Sequence, residues 1–318
     1  MQSYYPKDDN AILEINLNAL TKNYLKIKKN LNKNTECAAT VKANAYGLGD
    51  NKIVKTLIKT GCKTFFVAHL SESVQLRKYS KKIKIYCYHG INKKNYKEFI
   101  NFNISPVINS LDQLLEVNKL KKLRKFNLGI AIHFDTGMSR LGLDEYETNW
   151  LLSNKDCISS LKVDLVMSHL SCGDDIKSSM NVKQLKRFSI IRKNFSSSKA
   201  SLANSAGIFI SKEYHFDLVR PGIALFGGNP ITNSEIKFQN VINLKAKIIQ
   251  IRNIKKNDTV GYGASYKAKK NMCIGTIAIG YADGFVRKFS NNMEVYYKNK
   301  PLKVIGRISM DLMTIDLS

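Results

Sequence analysis

The sequence predicts an α/β protein in which a (β/α)8 barrel is followed by a second domain rich in β-strands. Two observations support this prediction. Over the first two thirds of the chain, short apolar or β-branched runs alternate with longer amphipathic stretches, as expected for parallel βα units. After about Pro230 the pattern changes to short alternating runs separated by turn residues. We therefore expect a barrel over residues 1–230 and a β-rich domain over residues 231–318.

Eight runs in the first region are candidate barrel strands, and they favour a closed barrel over an open doubly wound sheet. These runs are Cys37–Val41, Thr64–Ala68, Ile83–Tyr88, Ile104–Val107, Leu128–Phe134, Val163–Met167, Ala200–Leu202 and Leu218–Val219. The predicted helices are Leu17–Leu31, Lys52–Lys59, Ser71–Lys78, Lys94–Phe99, Ser110–Leu120, Asp144–Leu152, Lys183–Asn194 and Ser205–Ser211. The predicted strand regions of the second domain are Val241–Ile251, Met272–Ile279, Met293–Tyr297 and Leu302–Ile308.

The formal net charge of +26 raises the question of a nucleic-acid partner, because basic surfaces attract phosphate backbones. The lysines, however, are scattered over segments that are typical of exposed helix faces and turns. Neither a basic groove with interleaved aromatic residues nor a recognised nucleic-acid motif accompanies them. We therefore expect a charged, solvated surface and no nucleic-acid partner.

Cysteine spacing, apolar run length and the N-terminal sequence argue against four further classes of protein. The six cysteines are scattered without a C-x-x-C pair, so we expect neither a zinc site nor a disulfide framework, and no metal. No apolar run approaches the length that spans a bilayer, and the N-terminus lacks the basic-then-apolar order of a secretory signal. We expect a cytoplasmic protein without membrane association.

Polar segments follow five of the predicted strands, at the end where a barrel places its active site. These segments are Lys42–Gly47, Asp135–Arg140, Ser168–His169, Asn204–Ser205 and Arg220–Gly222. Lys42 follows an apolar strand and precedes small residues, where an amine can be desolvated and lose its proton, as Schiff-base chemistry requires. A lone lysine after a strand is more often a solvated charge, so the spacing alone does not decide its role.

Two pairs of residues suit a phosphorylated pyridine, although each also has an ordinary structural explanation. Gly222–Ile223 and Asn204–Ser205 can offer backbone N–H groups to a phosphate, but glycines after barrel strands are also common turn residues. Arg220 and His169 follow strands eight and six, and an arginine facing a ring nitrogen can tune a pyridine. A barrel-mouth ion pair or a capping histidine is the alternative, and spacing leaves both open.

Eight strings, taken together, resemble the alanine racemase family. They are AATVKANAYGLG, HFDTGMSRLGL, SHLSCGDD, LANSAGIF, VRPGIALFG, VGYGASY, IGYADG and GRISMDLM. They occur in that family's order from Ala38 to Met313. The resemblance implies a fold-type III pyridoxal-phosphate enzyme that works as a head-to-tail homodimer with shared active sites. It also implies interconversion of L- and D-alanine, which would supply D-alanine for peptidoglycan.

The resemblance assigns the cofactor contacts one position at a time. Lys42 corresponds to the lysine that carries pyridoxal phosphate. The other positions that match cofactor contacts are Tyr46, His169, Asn204, Ser205, Arg220, Gly222 and Ile223. Among them, Arg220 is expected at the pyridine nitrogen, with His169 orienting it. Tyr46, Ser205 and the amides of Gly222 and Ile223 are expected at the phosphate, with Asn204 beside Ser205.

The resemblance also assigns the second base and the substrate contacts. Inversion at Cα needs a base on each face, and Tyr262, rather than Tyr266, matches the base opposite the lysine. Arg140 and Met310 match contacts to the substrate carboxylate, Met310 from the partner subunit. A free tyrosine has a pKa of about 10, so it must be lowered by positive charge, for which Arg140 and His169 are candidates.

Three positions depart from the family pattern. His133 stands where many members have a carbamylated lysine that supports the arginine equivalent to Arg140, and Leu48 replaces the histidine of AYGHG. The sequence stops at Ser318, where the family normally continues with more strands and a tyrosine at the cofactor phosphate. We therefore expect a C-terminal domain that is incomplete relative to the family, with unpaired strand edges.

Other functions remain open from the sequence. A racemase of broader specificity, acting on serine or another small amino acid, would share the same motifs, whereas a decarboxylase of this fold fits VGYG and SMD less well. A non-catalytic protein that binds pyridoxal phosphate is an alternative from a different class. The absorbance of bound cofactor without α-proton exchange of alanine would favour that alternative.

Overall fold

The computed structural model of the chain describes residues 9–123, 126–232 and 235–318. Contacts divide the chain into two compact units. The larger unit is Asn16–Val241, and the smaller unit combines the N-terminal residues up to Ile15 with Ile242–Ser318. Strand β1, Ala11–Ile15, belongs to the smaller unit.

The larger unit is a parallel β/α barrel. Its strands are β2 (Glu36–Cys37), β3 (Ala39–Thr40), β4 (Thr64–Val67), β5 (Lys84–Cys87), β6 (Ser105–Ile108), β7 (Gly129–His133), β8 (Lys162–Met167), β9 (Lys199–Ser201) and β10 (Leu218–Val219). Strands β3 to β9 form one seven-stranded parallel sheet in chain order. Strand β10 pairs with β2, and the amides of Asp217 and Arg220 donate to Ala200 and Ala203 of the β9 segment. These bonds close the ring, so the predicted fold class is confirmed.

Each predicted barrel strand is present with its ends within about one residue, and β2 and β3 are one predicted strand interrupted at Ala38. The interior of the barrel is filled by alternate residues of these strands, as parallel barrels require. The cluster comprises Ala38, Phe66, Tyr86, Val107, Ala131, Leu165, Met167 and Leu218.

Helices follow most of the strands. They are α1 (Leu17–Lys29), α3 (Asp50–Lys59), α4 (Leu70–Tyr79), α5 (Tyr96–Asn101), α6 (Leu111–Lys122), α7 (Glu145–Ser153) and α8 (Ser179–Lys193). The short segment α2 (Lys42–Tyr46) is a left-handed turn, without the dihedral angles of an α-helix. The prediction of a helix over Ser205–Ser211 is wrong, because this segment contains only a 3-10 turn, Gly207–Phe209. Its start is closed by the Asn204 side-chain oxygen, which accepts from the amides of Ala206 and Gly207. These are the bonds of a helix N-cap, and the helical turn stays short because the backbone is extended again at Ser211.

The smaller unit is antiparallel. Its later strands are β11 (Ile242–Ala246), β12 (Ile248–Ile254), β13 (Thr259–Val260), β14 (Tyr266–Lys267), β15 (Met272–Ile277), β16 (Glu294–Tyr297), β17 (Lys300–Ile305) and β18 (Met313–Asp316). The main sheet has the order β12-β15-β18-β17-β16, and β1 pairs with β11. Its core contains Ile277, Ile279, Val304, Ile308, Met313 and Ile315.

Strand β1 was not anticipated from the sequence. It joins the smaller unit because its backbone pairs along its whole length with β11, from Ala11 opposite Ala246 to Ile15 opposite Ile242. The division into residues 1–230 and 231–318 stays a prediction about domains, whereas the contacts divide the chain near residues 15 and 241. Among the residues that the structure describes, no helix is both long enough and apolar enough to cross a membrane.

Candidate active site

A cavity of about 510 Å³ opens at the carboxyl ends of the barrel strands. It is lined by all nine site residues that the sequence predicts within the barrel. These residues are Lys42, Tyr46, Arg140, His169, Asn204, Ser205, Arg220, Gly222 and Ile223. The barrel topology brings them together, since each follows the end of a parallel strand. The residues that motif spacing could not relate to one another therefore share one site.

Lys42 lies between a paired strand and a left-handed turn. The amide of Val41 donates to the carbonyl of Phe66 at 2.9 Å, which continues the β3–β4 pairing. Immediately after Lys42, the four residues Ala43–Tyr46 have φ values between +52° and +58°. None of them is glycine, and such a conformation costs roughly 1–2 kcal/mol per residue. The surrounding contacts must therefore hold this turn in place.

The exposure of Lys42 corrects one expectation. The sequence suggested an environment in which the Lys42 amine is desolvated. In the structure, Lys42 is exposed at the rim of the cavity, and so is Arg140. The reason is geometric, because the left-handed turn follows the strand end directly and leaves Lys42 outside the barrel core. In the barrel unit, then, Lys42 is a solvated amine facing a polar cavity.

Arg220 is the most firmly held charged residue in the cavity. It is 2% exposed and donates to the Ser201 hydroxyl and to the Ser168 carbonyl oxygen. Its guanidinium carbon also lies 5.9 Å from the centre of the Phe66 ring. Burial lowers the pKa of Arg220 from its ordinary value, although a guanidinium remains protonated at neutral pH.

His169 accepts a hydrogen bond from this arginine. Its Nδ1 lies 3.4 Å from a guanidinium nitrogen (Nη2) of Arg220. A guanidinium can only donate, so Nδ1 carries no proton. Desolvation, followed by the positive charges of Arg220 and Arg140, holds the pKa of His169 well below its usual range. His169 is therefore neutral at pH 7, which corrects the expectation that it supplies positive charge toward a catalytic tyrosine.

Ser205 and Gly222 form a small concave wall beside Tyr46. The Ser205 hydroxyl oxygen accepts from the amides of Gly222 and Ala224 at 2.8 and 3.3 Å, so its own proton is available to an acceptor. A Cβ atom at Gly222 would lie 2.1 Å from the Tyr46 hydroxyl oxygen, so any larger residue would displace this hydroxyl. Tyr46 is backed by Phe226, with ring centres 4.7 Å apart.

Asn204 plays a structural part within the same wall. Its side-chain oxygen accepts from Ala206 and Gly207 at 3.1 and 3.0 Å. These bonds form the turn that follows Ser205, and they occupy the oxygen that would otherwise face a ligand. The geometry thus favours a role in shaping the Ser205 turn over direct contact.

Among the other residues that line the cavity, His133, Asn109 and Tyr88 are buried or half-buried polar residues that were not assigned as ligands from the sequence. His133 is 8% exposed, and its Nδ1 lies 2.9 Å from the side-chain oxygen of Asn109. The Asn109 amide nitrogen donates to the carbonyls of Tyr88 and Val107, so its oxygen must accept and His133 Nδ1 must donate. Desolvation and then the charge of Arg220 lower the pKa of His133 to about 3.

Tyr88 and Asn109 were missed because they follow strands β5 and β6, which end in no recognisable motif. Tyr88 lies 3.3 Å from the Thr40 hydroxyl and belongs to the aromatic stack with Phe66. Burial raises the pKa of Tyr88. Their position in the sequence could have identified them as cavity residues, since both stand where a barrel strand ends.

Tyr262 and Met310 lie in the smaller unit. Tyr262 begins the 3-10 turn Tyr262–Ala264 and is 67% exposed, and Met310 is 54% exposed. The carbonyl of Met310 accepts from the amide of Ala282 at 2.9 Å. Both side chains are therefore presented at the surface of their unit. Within the described residues, no cluster of three or more His, Cys, Asp or Glu side chains could hold a metal ion.

Comparison with known proteins identifies the family. The chain matches the alanine racemase N-terminal domain over residues 15–230 and the alanine racemase C-terminal domain over residues 241–318. An alanine racemase of Rickettsia bellii is 42% identical over 288 residues, which cover 90% of this chain and 70% of that protein. One of Rickettsia rickettsii is 40% identical over 307 residues, covering 96% and 84%.

Solved structures agree with this match. An alanine racemase from Bartonella henselae, solved with covalently bound pyridoxal phosphate, has a TM-score of 0.93 and 36% identity, covering 98% of this chain and 86% of that one. The biosynthetic alanine racemase from Pseudomonas aeruginosa has a TM-score of 0.87 and 27% identity, covering 98% and 87%. The matches to both domains, the identities and the shared fold agree, and the chain belongs to the alanine racemase family.

Proposed function

We propose that this protein interconverts L- and D-alanine with pyridoxal phosphate as its cofactor. One observation carries the proposal: Lys42, the buried Arg220 and the Ser205–Gly222 wall face a single cavity. Membership of the alanine racemase family supports the reaction, and the Bartonella henselae relative with covalently bound pyridoxal phosphate supports the cofactor. An amine, an arginine and a phosphate-sized cradle are the groups that such a cofactor needs.

The cavity residues fit this cofactor. Within the described part of the chain, nothing accepts a hydrogen bond from Arg220 Nε, although this atom is buried and its residue lines the cavity. A pyridine nitrogen is an acceptor that suits it. The Tyr46 hydroxyl lies where a side chain at Gly222 would be, the Ser205 hydroxyl oxygen accepts from the Gly222 amide, and a phosphate oxygen can accept from both hydroxyls.

When bound, pyridoxal phosphate would supply an electron-withdrawing ring that stabilises negative charge at the substrate Cα. Lys42 would hold the cofactor and move a proton on one face of Cα, and Tyr262 would move a proton on the other. Arg140 and Met310 would hold the substrate carboxylate. Arg220 stays protonated and can only donate, so it would keep the ring nitrogen unprotonated, with neutral His169 fixing its orientation.

The remaining contacts are those to the cofactor phosphate, and they come from the wall that Ser205 and Gly222 form beside Tyr46. Tyr46, the Ser205 hydroxyl and the backbone amide of Ile223 would hold the phosphate. Gly222 would give the phosphate room, since its own amide donates to the Ser205 hydroxyl oxygen. Asn204 would act by shaping the turn after Ser205. No metal enters this scheme.

The proposed active unit is a homodimer with shared sites. Tyr262 and Met310 are more than half exposed, and a base that abstracts a weakly acidic proton must be shielded from water. We infer that each is covered when it enters the site of a partner subunit. We further propose a cytoplasmic enzyme that supplies D-alanine for peptidoglycan and binds no nucleic acid.

Solvent deuterium exchange at Cα of L-alanine and of D-alanine, measured separately, tests this function. Lys42→Ala is expected to abolish exchange of both, by about 10³-fold or more, because it removes a base and the cofactor attachment. Tyr262→Phe is expected to impair exchange of L-alanine more than of D-alanine. Tyr266→Phe is the matched control, since the Tyr266 hydroxyl contacts the Met272 sulfur at 3.4 Å.

Three results would contradict the proposal. Wild-type protein that binds pyridoxal phosphate without exchanging alanine would be a non-catalytic binding protein. Faster exchange of serine than of alanine would make it a racemase of different specificity. Equal losses with L- and D-alanine in Tyr262→Phe would overturn the assignment of the two faces.

A further inference from the structure

Glu72, the third residue of helix α4, holds the turn that follows Lys42. One carboxylate oxygen accepts from the amides of Ala43 and Asn44 at 2.5 and 3.4 Å. The other accepts from the amides of Ala68 and His69 at 2.9 and 3.0 Å. A single half-buried side chain thus joins the segment after β3 to the segment after β4.

The chemistry of this contact suits a carboxylate and no other side chain. Four N–H groups converge on two oxygens, each of which must accept twice. A carboxylate offers about four lone-pair sites and no donor, whereas an amide replaces one oxygen with a donor. Hydrogen bonds to an ionised acceptor are also stronger than neutral ones.

The turn that Glu72 holds would not be stable by itself. Ala43–Tyr46 form four consecutive left-handed residues without a glycine, a conformation that persists only where surrounding groups impose it. The first two of these residues donate directly to Glu72. The amide of Val41, on the other side of Lys42, is fixed to Phe66 of β4. The backbone of Lys42 is therefore held from both directions.

We propose that Glu72 is a positioning residue for Lys42: by accepting from Ala43 and Asn44 it sets the direction in which the Lys42 side chain enters the cavity. This inference rests on the proposed function of Lys42 in moving a proton. Misplacement of a reacting group by about 1 Å can cost on the order of 100-fold in rate. Loss of the carboxylate is therefore expected to slow the step that Lys42 performs, and to leave the Tyr262 step less affected.

Two substitutions remove the contact in different ways. Glu72→Gln keeps the size of the side chain but places a donor against two backbone donors. Glu72→Asp keeps the charge but is one methylene too short to reach both pairs of amides. If Glu72→Gln fails to fold, Glu72→Asp tests the same geometry.

The matched control is Glu147→Gln. Glu147 is likewise the third residue of a helix, α7, and its carboxylate also joins two segments, accepting from Leu111 at 2.7 Å and from Asp144 at 3.3 Å. It lies outside the residues that line the cavity. A purely structural role for Glu72 would lower deuterium exchange of L- and D-alanine equally.

The experiment has two readouts on the full-length protein. Amide hydrogen exchange of the peptide covering residues 42–48, measured by mass spectrometry, is expected to rise about tenfold or more in the Glu72 variants and to stay unchanged in Glu147→Gln. Deuterium exchange at Cα is expected to fall by about 10- to 100-fold with D-alanine in the Glu72 variants, and by less with L-alanine.

The outcomes are distinct. Unchanged amide exchange of residues 42–48 in both Glu72 variants overturns the inference, and so does faster amide exchange with equal losses for L- and D-alanine. Failure of the proposed function is visible separately, because Lys42→Ala would then retain α-proton exchange whatever the Glu72 variants do.

Discussion

The deep wall of the cavity and its rim differ in how their charged and polar groups are held. On the deep wall, Arg220 and His133 are 2% and 8% exposed, and each is fixed by hydrogen bonds to neighbouring strands. On the rim, Lys42 and Arg140 are exposed. Groups that bind and tune a ligand benefit from a fixed, desolvated setting. On the rim, the backbone beside Lys42 is also fixed, through the amides of Val41 and Ala43, but the side chain of Lys42 is exposed. Substitutions on the deep wall should therefore affect stability as well as activity.

The largest effect on stability is expected for Arg220→Leu. The substitution leaves the buried Ser168 carbonyl and Ser201 hydroxyl without their donor, at a cost of about 1–3 kcal/mol for each unsatisfied group. We expect the free energy of unfolding to fall by about 2–4 kcal/mol in chemical denaturation. Arg140→Leu on the rim is the control and should change it by less than about 0.5 kcal/mol.

The opposite result would also be informative. Burial penalises the charge of Arg220, so a leucine variant as stable as the wild type would mean that its hydrogen bonds do not outweigh desolvation. The contrast between wall and rim would then be one of exposure alone.

The pH dependence of stability tests the deep wall through a slope. His133 has a pKa of about 3 in the folded protein, below the unfolded value of about 6.5, so the unfolded chain binds more protons between these values. Its contribution is fully present above pH 6.5 and is lost as the pH falls toward 3. In His133→Gln, the loss of unfolding free energy on acidification should be less steep, by up to about 1.4 kcal/mol per pH unit.

Denaturation curves at several pH values between 4 and 7 measure this slope. His169, whose pKa is also lowered, is present in both proteins, and desolvation and the charges of Arg220 and Arg140 are larger causes of its shift than His133, so most of its contribution cancels in the difference. His69, which is exposed, provides the control substitution His69→Gln. A slope in His133→Gln equal to that of the wild type would show that His133 is not held neutral by the wall.

The smallest effect on stability is expected for Gly222→Ala, in the wall that Ser205 and Gly222 form beside Tyr46. In Gly222→Ala, the new Cβ would meet the Tyr46 hydroxyl at 2.1 Å, and overpacking of this kind costs about 1–3 kcal/mol. We expect a loss near 1 kcal/mol, because the hydroxyl lies at the far end of its side chain and can move. Adding Tyr46→Phe should recover part of that loss in a double-mutant cycle. Strictly additive losses would mean that the two groups do not meet.

Much of the barrel could be predicted because its strands are buried on both faces and read as short apolar runs. The helix over Ser205–Ser211 could not be excluded, because Asn204 caps a helical turn and the sequence does not show that this turn ends before Ser211. Strand β1 was missed for a related reason: it is exposed over most of its length and is recognisable only by its partner β11.

The site was predictable in parts. Lys42, Ser205 and Arg220 stand in motifs directly after strands, so their convergence followed from the topology. The neutral state of His169 did not follow, since it depends on burial and on the charges of Arg220 and Arg140, which are distant in the sequence.

By itself, the sequence determined the fold class, the alanine racemase family and the strand-end residues that share the cavity, because apolar periodicity and ordered motifs are local properties. The tertiary structure alone decided how those residues are held. The left-handed turn after Lys42 contains no glycine, so the sequence does not indicate it. Its first amides donate to Glu72, a carboxylate about 30 residues away on helix α4. A side chain's orientation and protonation depend on neighbours that only folding brings together.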